Sequence, residues 1–159
     1  MKEAKSKSLI LKQMMEIVNE KLLLSKGQIT SINQSKSSAT KNTAGDKHET
    51  GRAMMERELA IAEAQKAKAQ KQLLDIESML GVSISETVKS GSLVNTTKGR
   101  FLIGVALGKV ETELGLCFAI SQASPMGSLL FGKKVGDSVE LNGNSDYKCR
   151  IKERYLHLK

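Results

Sequence analysis

The sequence predicts an α+β chain. An N-terminal antiparallel coiled-coil hairpin occupies residues 1–80, with its tip near residues 40–50, and a small, mostly antiparallel β domain with one short helix occupies residues 81–159. Three observations predict it. Two long stretches each carry an apolar stripe, a polar run separates them, and beyond Gly81 the pattern changes to short β-type runs.

The first stripe is Leu11, Met15, Val18, Leu22, Ser25, Ile29, Ile32, Lys36 and Ala39, in alternating steps of four and three. That rhythm places one seam along a helix. The second, Arg52, Met55, Leu59, Ala62, Lys66, Ala69, Leu73, Ile76 and Leu80, repeats it. Between them the polar run from Ser37 to Gly45, with poor helix formers and a Gly, reads as a reversal. A short connection makes the two helices antiparallel neighbours. Each arm has ~30 residues or more, so at ~1.5 Å per residue the tip is expected roughly 50 Å from the base. Isolated helices of this composition are marginal in water, so mutual burial of the Leu, Ile and Met stripe must supply their stability.

Gly81 then stops the second helix. The β-type runs that follow are Ser92 to Asn95, Arg100 to Leu107, Leu116 to Ile120, Ser138 to Leu141 and Tyr147 to Tyr155. In the last, Tyr147, Cys149 and Ile151 alternate with Lys148, Arg150 and Lys152, as in a strand with one wet face. Ser124 and Pro125, the chain's only proline, suit the N-cap and first position of a short helix ended by Gly132. Asn142-Gly143-Asn144 suits a hairpin turn between the last two strands.

Composition bounds the chemistry. Of 159 residues only 3% are aromatic, with no Trp, which leaves little material for a base-stacking platform or an aromatic ligand pocket. The net charge of +8 divides as +5 over residues 1–41, −1 over 46–80 and +4 over 81–159. Such basic surfaces favour nucleic acid, an acidic protein or an anionic membrane, through attraction that salt weakens, although a merely well-solvated surface has the same composition. No apolar run is long enough to span a bilayer and none reads as a secretory signal, so a cytoplasmic protein is expected. Cys117 and Cys149 have no metal-ligand spacing and read as small buried apolar residues. With His48 and His157 at opposite extremes of the chain, neither is placed by sequence to activate Cys117 as a nucleophile.

The residues that stand out chemically are Asp46 and Glu49, in Asp46-Lys47-His48-Glu49 at the expected tip. Acids one helical turn apart can serve as metal ligands. The same spacing also suits a helix start, with Asp46 capping free N–H groups and Glu49 reaching back. Similarly, Lys12, Lys21, Lys26, Lys36 and Lys41 form either a solvated helix face or a nucleic-acid contact.

The run from Ser124 to Glu140, Ser-Pro-Met-Gly-Ser-Leu-Leu-Phe-Gly-Lys-Lys-Val-Gly-Asp-Ser-Val-Glu, resembles the C-terminal signature of the bacterial GreA/GreB transcription elongation factors. Gly91-Ser92-Leu93-Val94 is similar to the strand that begins that family's globular domain, and Gly45-Asp46-Lys47-His48-Glu49 to its Gly-Asp-x-x-Glu tip motif. The resemblance covers nearly the whole chain in the order of its parts. It implies an FKBP-like globular domain docked at the rim of the RNA polymerase secondary channel, with the hairpin passing down the channel. In cleavage-active members the tip acids help hold a second catalytic Mg²⁺ and orient a water, so that the polymerase cuts the 3′ end of backtracked RNA.

Carried over residue by residue, the resemblance puts Asp46 and Glu49 at the metal, shared with the polymerase and held weakly when the factor is free. Lys41, Lys47, His48 and Arg52 become contacts to RNA or channel, and Ser124, Pro125, Met126, Lys133 and Lys134 the polymerase dock. It implies a monomeric accessory factor rather than an enzyme, with no tightly bound cofactor, no membrane partner, and bacterial RNA polymerase and nascent RNA as partners. This chain departs from the pattern after Glu49. Thr50, Gly51, Arg52 and Ala53 stand where cleavage-active tips usually have Asn, Ala, Glu and an aromatic, and the strands around Thr96 to Gly108 look shortened. A channel-binding regulator without cleavage activity is therefore the alternative. A prolyl isomerase, which an FKBP-like fold would suggest, is disfavoured by the scarcity of aromatics.

Overall fold

Heptad spacing, few β-branched residues and no internal proline give two long helices. The computed structural model describes residues 2–39, 45–81, 85–143 and 148–154, with side chains for 6–38, 49–81 and 85–142. Helix α1 is Lys2–Ala39 and α2 is Gly45–Leu80. The helix continues through Ser37 and Ser38 to Ala39, so the expected reversal is shorter than the polar run that announced it. Ser37 and Ser38 are exposed, so the helix runs on here by propagation from the turns before it rather than by burial. The strands are β1 (Leu93–Thr96), β2 (Gly99–Ile103), β3 (Gly108–Thr112), β4 (Gly115–Ile120), β5 (Ser138–Glu140) and β6 (Lys148–Arg154), with α3 (Pro125–Leu130) between β4 and β5.

The chain divides into two compact units. One is Glu16–Leu73, the two arms of the hairpin. Lys36 of α1 pairs with Glu56 of α2, while Gln28, Ser31 and Ile32 share a groove with Glu58, Ile61 and Ala62, so the arms run antiparallel as expected. The seam is the one read from the sequence. Val18, Ser25, Ala62 and Ala69 are buried and Leu22, Ile29, Ile32, Met55, Leu59 and Leu73 half-buried, but Arg52 is exposed. Ser25 is tolerated there because its hydroxyl donates to the Lys21 carbonyl at 2.9 Å, so its own donor is met.

The other unit joins Met1–Met15 and Leu74–Lys159, so it holds the bases of both helices and the sheet. Strand order is β3-β4-β2-β1-β6-β5. All neighbours are antiparallel except β2 and β4, which run parallel with Phe101 opposite Phe118. On one face Val94, Phe101 and Ile103 pack with Val88, Leu130 and Val139, with Phe118, Ile120, Met126 and Leu129 partly buried against them. Phe101 and Phe118 stack with ring centroids 5.5 Å apart. The register places Leu93, Leu102, Cys117 and Ala119 on the opposite face, where each is buried as well. Burial on both faces requires cover on both. In this unit Ile10, Leu11, Met14, Ile76 and Met79 of the helix bases are also buried, and Gln13 Oε1 accepts from the Glu113 N–H at 3.3 Å.

Three details differ from expectation. At the end of α2 it is Met79 that is buried and Leu80 that is 45% exposed. The base of a helix meets a sheet as well as its partner helix, so its buried face widens away from the seam. Strand β3 was not foreseen, since in Gly-Lys-Val-Glu-Thr only Val110 is buried. Lastly, β2 stops at Ile103 instead of running to Leu107, because Gly104 turns the backbone to φ +129°. The helix stop after Leu80 stands as read, as does the antiparallel pairing of β5 with β6 around a turn in which Asn142 has φ 57°. The side chains of β6, including Cys149, lie outside the described residues.

Candidate functional site

Helix α2 begins at Gly45, so Asp46 falls within its first turn rather than ahead of it. A cap residue precedes the helix, so Asp46 does not hold that place. Both acids remain within the first five residues of α2, where negative charge complements the exposed N–H groups. Asp46, Lys47 and His48 have helical backbone, but their side chains lie outside the described residues, as does the whole of Lys41. Glu49 is described and exposed.

One turn further along α2, Arg52 Nε lies 3.5 Å from Glu56 Oε1. The same oxygen is 3.9 Å from Lys36 Nζ of α1. Lys36 and Arg52 were both assigned to the seam. There Lys36 is largely covered, its side chain 27% exposed, whereas Arg52 is 61% exposed and lies along the helix surface toward Glu56. Nothing in the seam pattern pointed to Glu56, which flanks the stripe. The signal available in the sequence was its place four residues after Arg52, the spacing of a helical ion pair. Exposed pairs of this kind contribute about 0.3–0.5 kcal/mol each.

Among the described residues, no group of three or more His, Cys, Asp or Glu is placed to hold a metal ion. An Asp and a Glu one turn apart supply hard oxygen donors in the number that Mg²⁺ commonly takes from one protein, with the remaining positions left to water and phosphate. The donor set therefore fits a site completed by another molecule.

In the sheet unit, the residues assigned to docking lie in and after α3. Ser124 caps the helix, its hydroxyl accepting from the Gly127 N–H at 3.0 Å and donating to the Ser121 carbonyl at 2.8 Å. Pro125 is exposed at the first helical position, and Met126 is partly buried against the core. Lys133 and Lys134 are exposed on a loop fixed from within: the Val88 N–H donates to the Lys133 carbonyl and the Gly132 N–H to the Val88 carbonyl, at 2.8 and 2.7 Å. Lys134 Nζ is 3.9 Å from Glu86, and its backbone N–H donates to Asp137 Oδ2 at 2.8 Å. Phe131 and Val135, 39% and 48% exposed, flank the two lysines and were not singled out from the sequence.

Cys117 is fully buried, and burial pushes its thiol up to about 11 against the opposing pull of Arg100 and a backbone hydrogen bond at Leu102. A thiol so placed is a packing group rather than a nucleophile.

No protein-family model matches the chain, and no curated protein matches it. Among solved structures it is similar to the crystal structure of GreA factor homolog 1 (Gfh1) of Thermus thermophilus, with 20% identity over 91% of each chain and a TM-score of 0.33. A second structure, of the transcription factor Gfh1, has 20% identity over 88% of this chain and 92% of that chain, with a TM-score of 0.34.

Proposed function

We propose that this chain is a polymerase-binding transcription factor of the GreA/GreB kind. Its hairpin carries Asp46 and Glu49 through the secondary channel to the active site of bacterial RNA polymerase, which then cleaves the 3′ end of backtracked RNA. The observation that carries the reading is the placement of the Gly45-to-Glu49 motif at the start of α2, the end of the second arm farthest in sequence from the sheet. The order of elements, hairpin then sheet with one short helix, adds support.

The chain acts as an accessory factor; the polymerase performs the cleavage. Asp46 and Glu49 contribute carboxylate oxygens to an Mg²⁺ whose other ligands come from polymerase and RNA, so no cofactor is held tightly by the factor alone. When bound, Mg²⁺ stabilises the oxygens of a phosphoryl displacement. Lys41, Lys47, His48 and Arg52 contact RNA phosphate or the channel wall, and Ser124, Pro125, Met126, Lys133 and Lys134 form the dock.

The tip also supports a second reading. Arg52 sits one turn from Glu49, where the family pattern puts an acid, and a cation there favours channel occupancy without cleavage. Stalled, backtracked complexes distinguish the two. Asp46→Ala and Glu49→Ala should each abolish shortening of the RNA while leaving polymerase binding nearly unchanged. Shortening that persists in both variants would sink the role given to the acids, and inhibition without shortening by the unmodified protein would select the second reading.

A further inference from the structure

Arg52 lies between two acids on one helical face. Glu49 precedes it by three residues and Glu56 follows it by four, and both spacings bring side chains within reach on a helix. The structure places its Nε at Glu56, 3.5 Å from Oε1. Lys36 of the other arm approaches the same oxygen at 3.9 Å, which ties Glu56 to the hairpin's first arm as well. All three side chains are partly exposed, at 27% for Lys36, 61% for Arg52 and 55% for Glu56, so the pairing is a shallow preference and open to exchange.

We propose that Glu56 is a positioning residue that holds the Arg52 guanidinium away from Glu49 and so keeps the Glu49 carboxylate available for a divalent cation. The proposal rests on the cleavage reading for its purpose, but its physical content belongs to the free protein. Neutralising Glu56 removes the preferred partner of Arg52. Its remaining acidic neighbour at helical spacing is Glu49, and a cation seated there competes with a metal for the same oxygens. Lys36, released at the same time, adds positive charge near the same turns.

Two measurements test it. In the free, full-length protein, the NMR signal of the Arg52 Nε–H should respond only weakly to Glu49→Gln when Glu56 is present. In a Glu56→Gln background it should move further when Glu49→Gln is added, because Arg52 has shifted toward its other partner. An Arg52 signal indifferent to Glu49 in both backgrounds overturns the proposal, whether or not the protein supports cleavage. In the cleavage assay, Glu56→Gln should raise the Mg²⁺ concentration for half-maximal rate by about 1.5- to twofold, the scale of one exposed helical ion pair, with the rate at saturating Mg²⁺ unchanged. Glu56→Asp, which keeps the acid, should restore the ordinary Mg²⁺ dependence. An active protein whose Mg²⁺ dependence ignores Glu56→Gln also overturns it. A protein that shortens no RNA overturns the cleavage reading instead, and the NMR comparison then decides the proposal by itself.

Discussion

Lys7 is 6% exposed, an unusual place for an ammonium group. Burial, and then the charge of Lys89, lower its pKa from the ordinary value of 10.5. The folded protein therefore binds the Lys7 proton less readily than the unfolded chain, and the charged form penalises folding at neutral pH. That penalty is relieved as pH rises through the lowered pKa, so Lys7 makes stability increase toward pH 10.5. Cys117 acts in the opposite sense: its raised pKa favours folding below 9.0, and the advantage is lost as pH rises toward about 11. Lys7→Met should thus be more stable than the unmodified protein at pH 7, and urea titrations at stepped pH should find the difference shrinking as pH approaches 10.5. A difference that is constant with pH would mean that Lys7 is not titrating against a folding penalty. None of this was legible in the sequence, because Lys7 lies outside the seam. Its burial comes from the widening of the buried face at the helix base, where Ile10 and Met14 are covered as well. The acid pair was legible as a motif, and the seam put it at the hairpin's reversal. The partner of Arg52 was not, since a seam pattern says nothing about which flanking residue a long side chain chooses.

At the scale of the element, the run that carries the family resemblance has a packing or turn role at nearly every position. Ser124 caps α3, Leu130 and Val139 enter the core, and Gly132 and Gly136 take φ of +78° and +94°. Gly127 admits no side chain, because a Cβ there would overlap the Ser121 carbonyl oxygen. Gly127→Ala should therefore cost about 2–3 kcal/mol, measured by chemical denaturation, even though alanine is the better helix former. A neutral or stabilising effect would show that the Ser121 turn yields freely. The signature is thus legible as a fold where its residues answer a local geometric demand. Of the proposed dock, Pro125, Lys133 and Lys134 are exposed, with Phe131 and Val135 exposed beside them, whereas Ser124 and Met126 are partly buried. The long helices were legible for a similar reason, since one periodic rule governs dozens of residues. Strand β3 was not, because one buried Val110 in five residues makes no period. Nor was the parallel pairing of β2 with β4, as alternation tells which face a side chain takes but not which strand lies alongside.

For the whole molecule, the two units should report differently on unfolding. Glu16–Leu73 is held by a seam in which many contacts are only half-buried, whereas the sheet unit buries Leu93, Val94, Leu102 and Ile103 to 1% exposure or less. Helix circular dichroism, dominated by α1 and α2, should lose signal at lower urea than is needed for Cys117 to react with a thiol reagent. Coincident transitions would instead mark the chain as one cooperative body. The composition of the seam has another bearing. Ser25, Ala62 and Ala69 are among its buried positions, and residues that small let helix axes approach toward about 8 Å rather than 10 Å. Leucines there would bury more surface and adhere more strongly, but would also thicken the rod. Girth, rather than adhesion, decides how narrow an opening a rod can enter, and at Ser25, Ala62 and Ala69 the seam gives up grip for thinness.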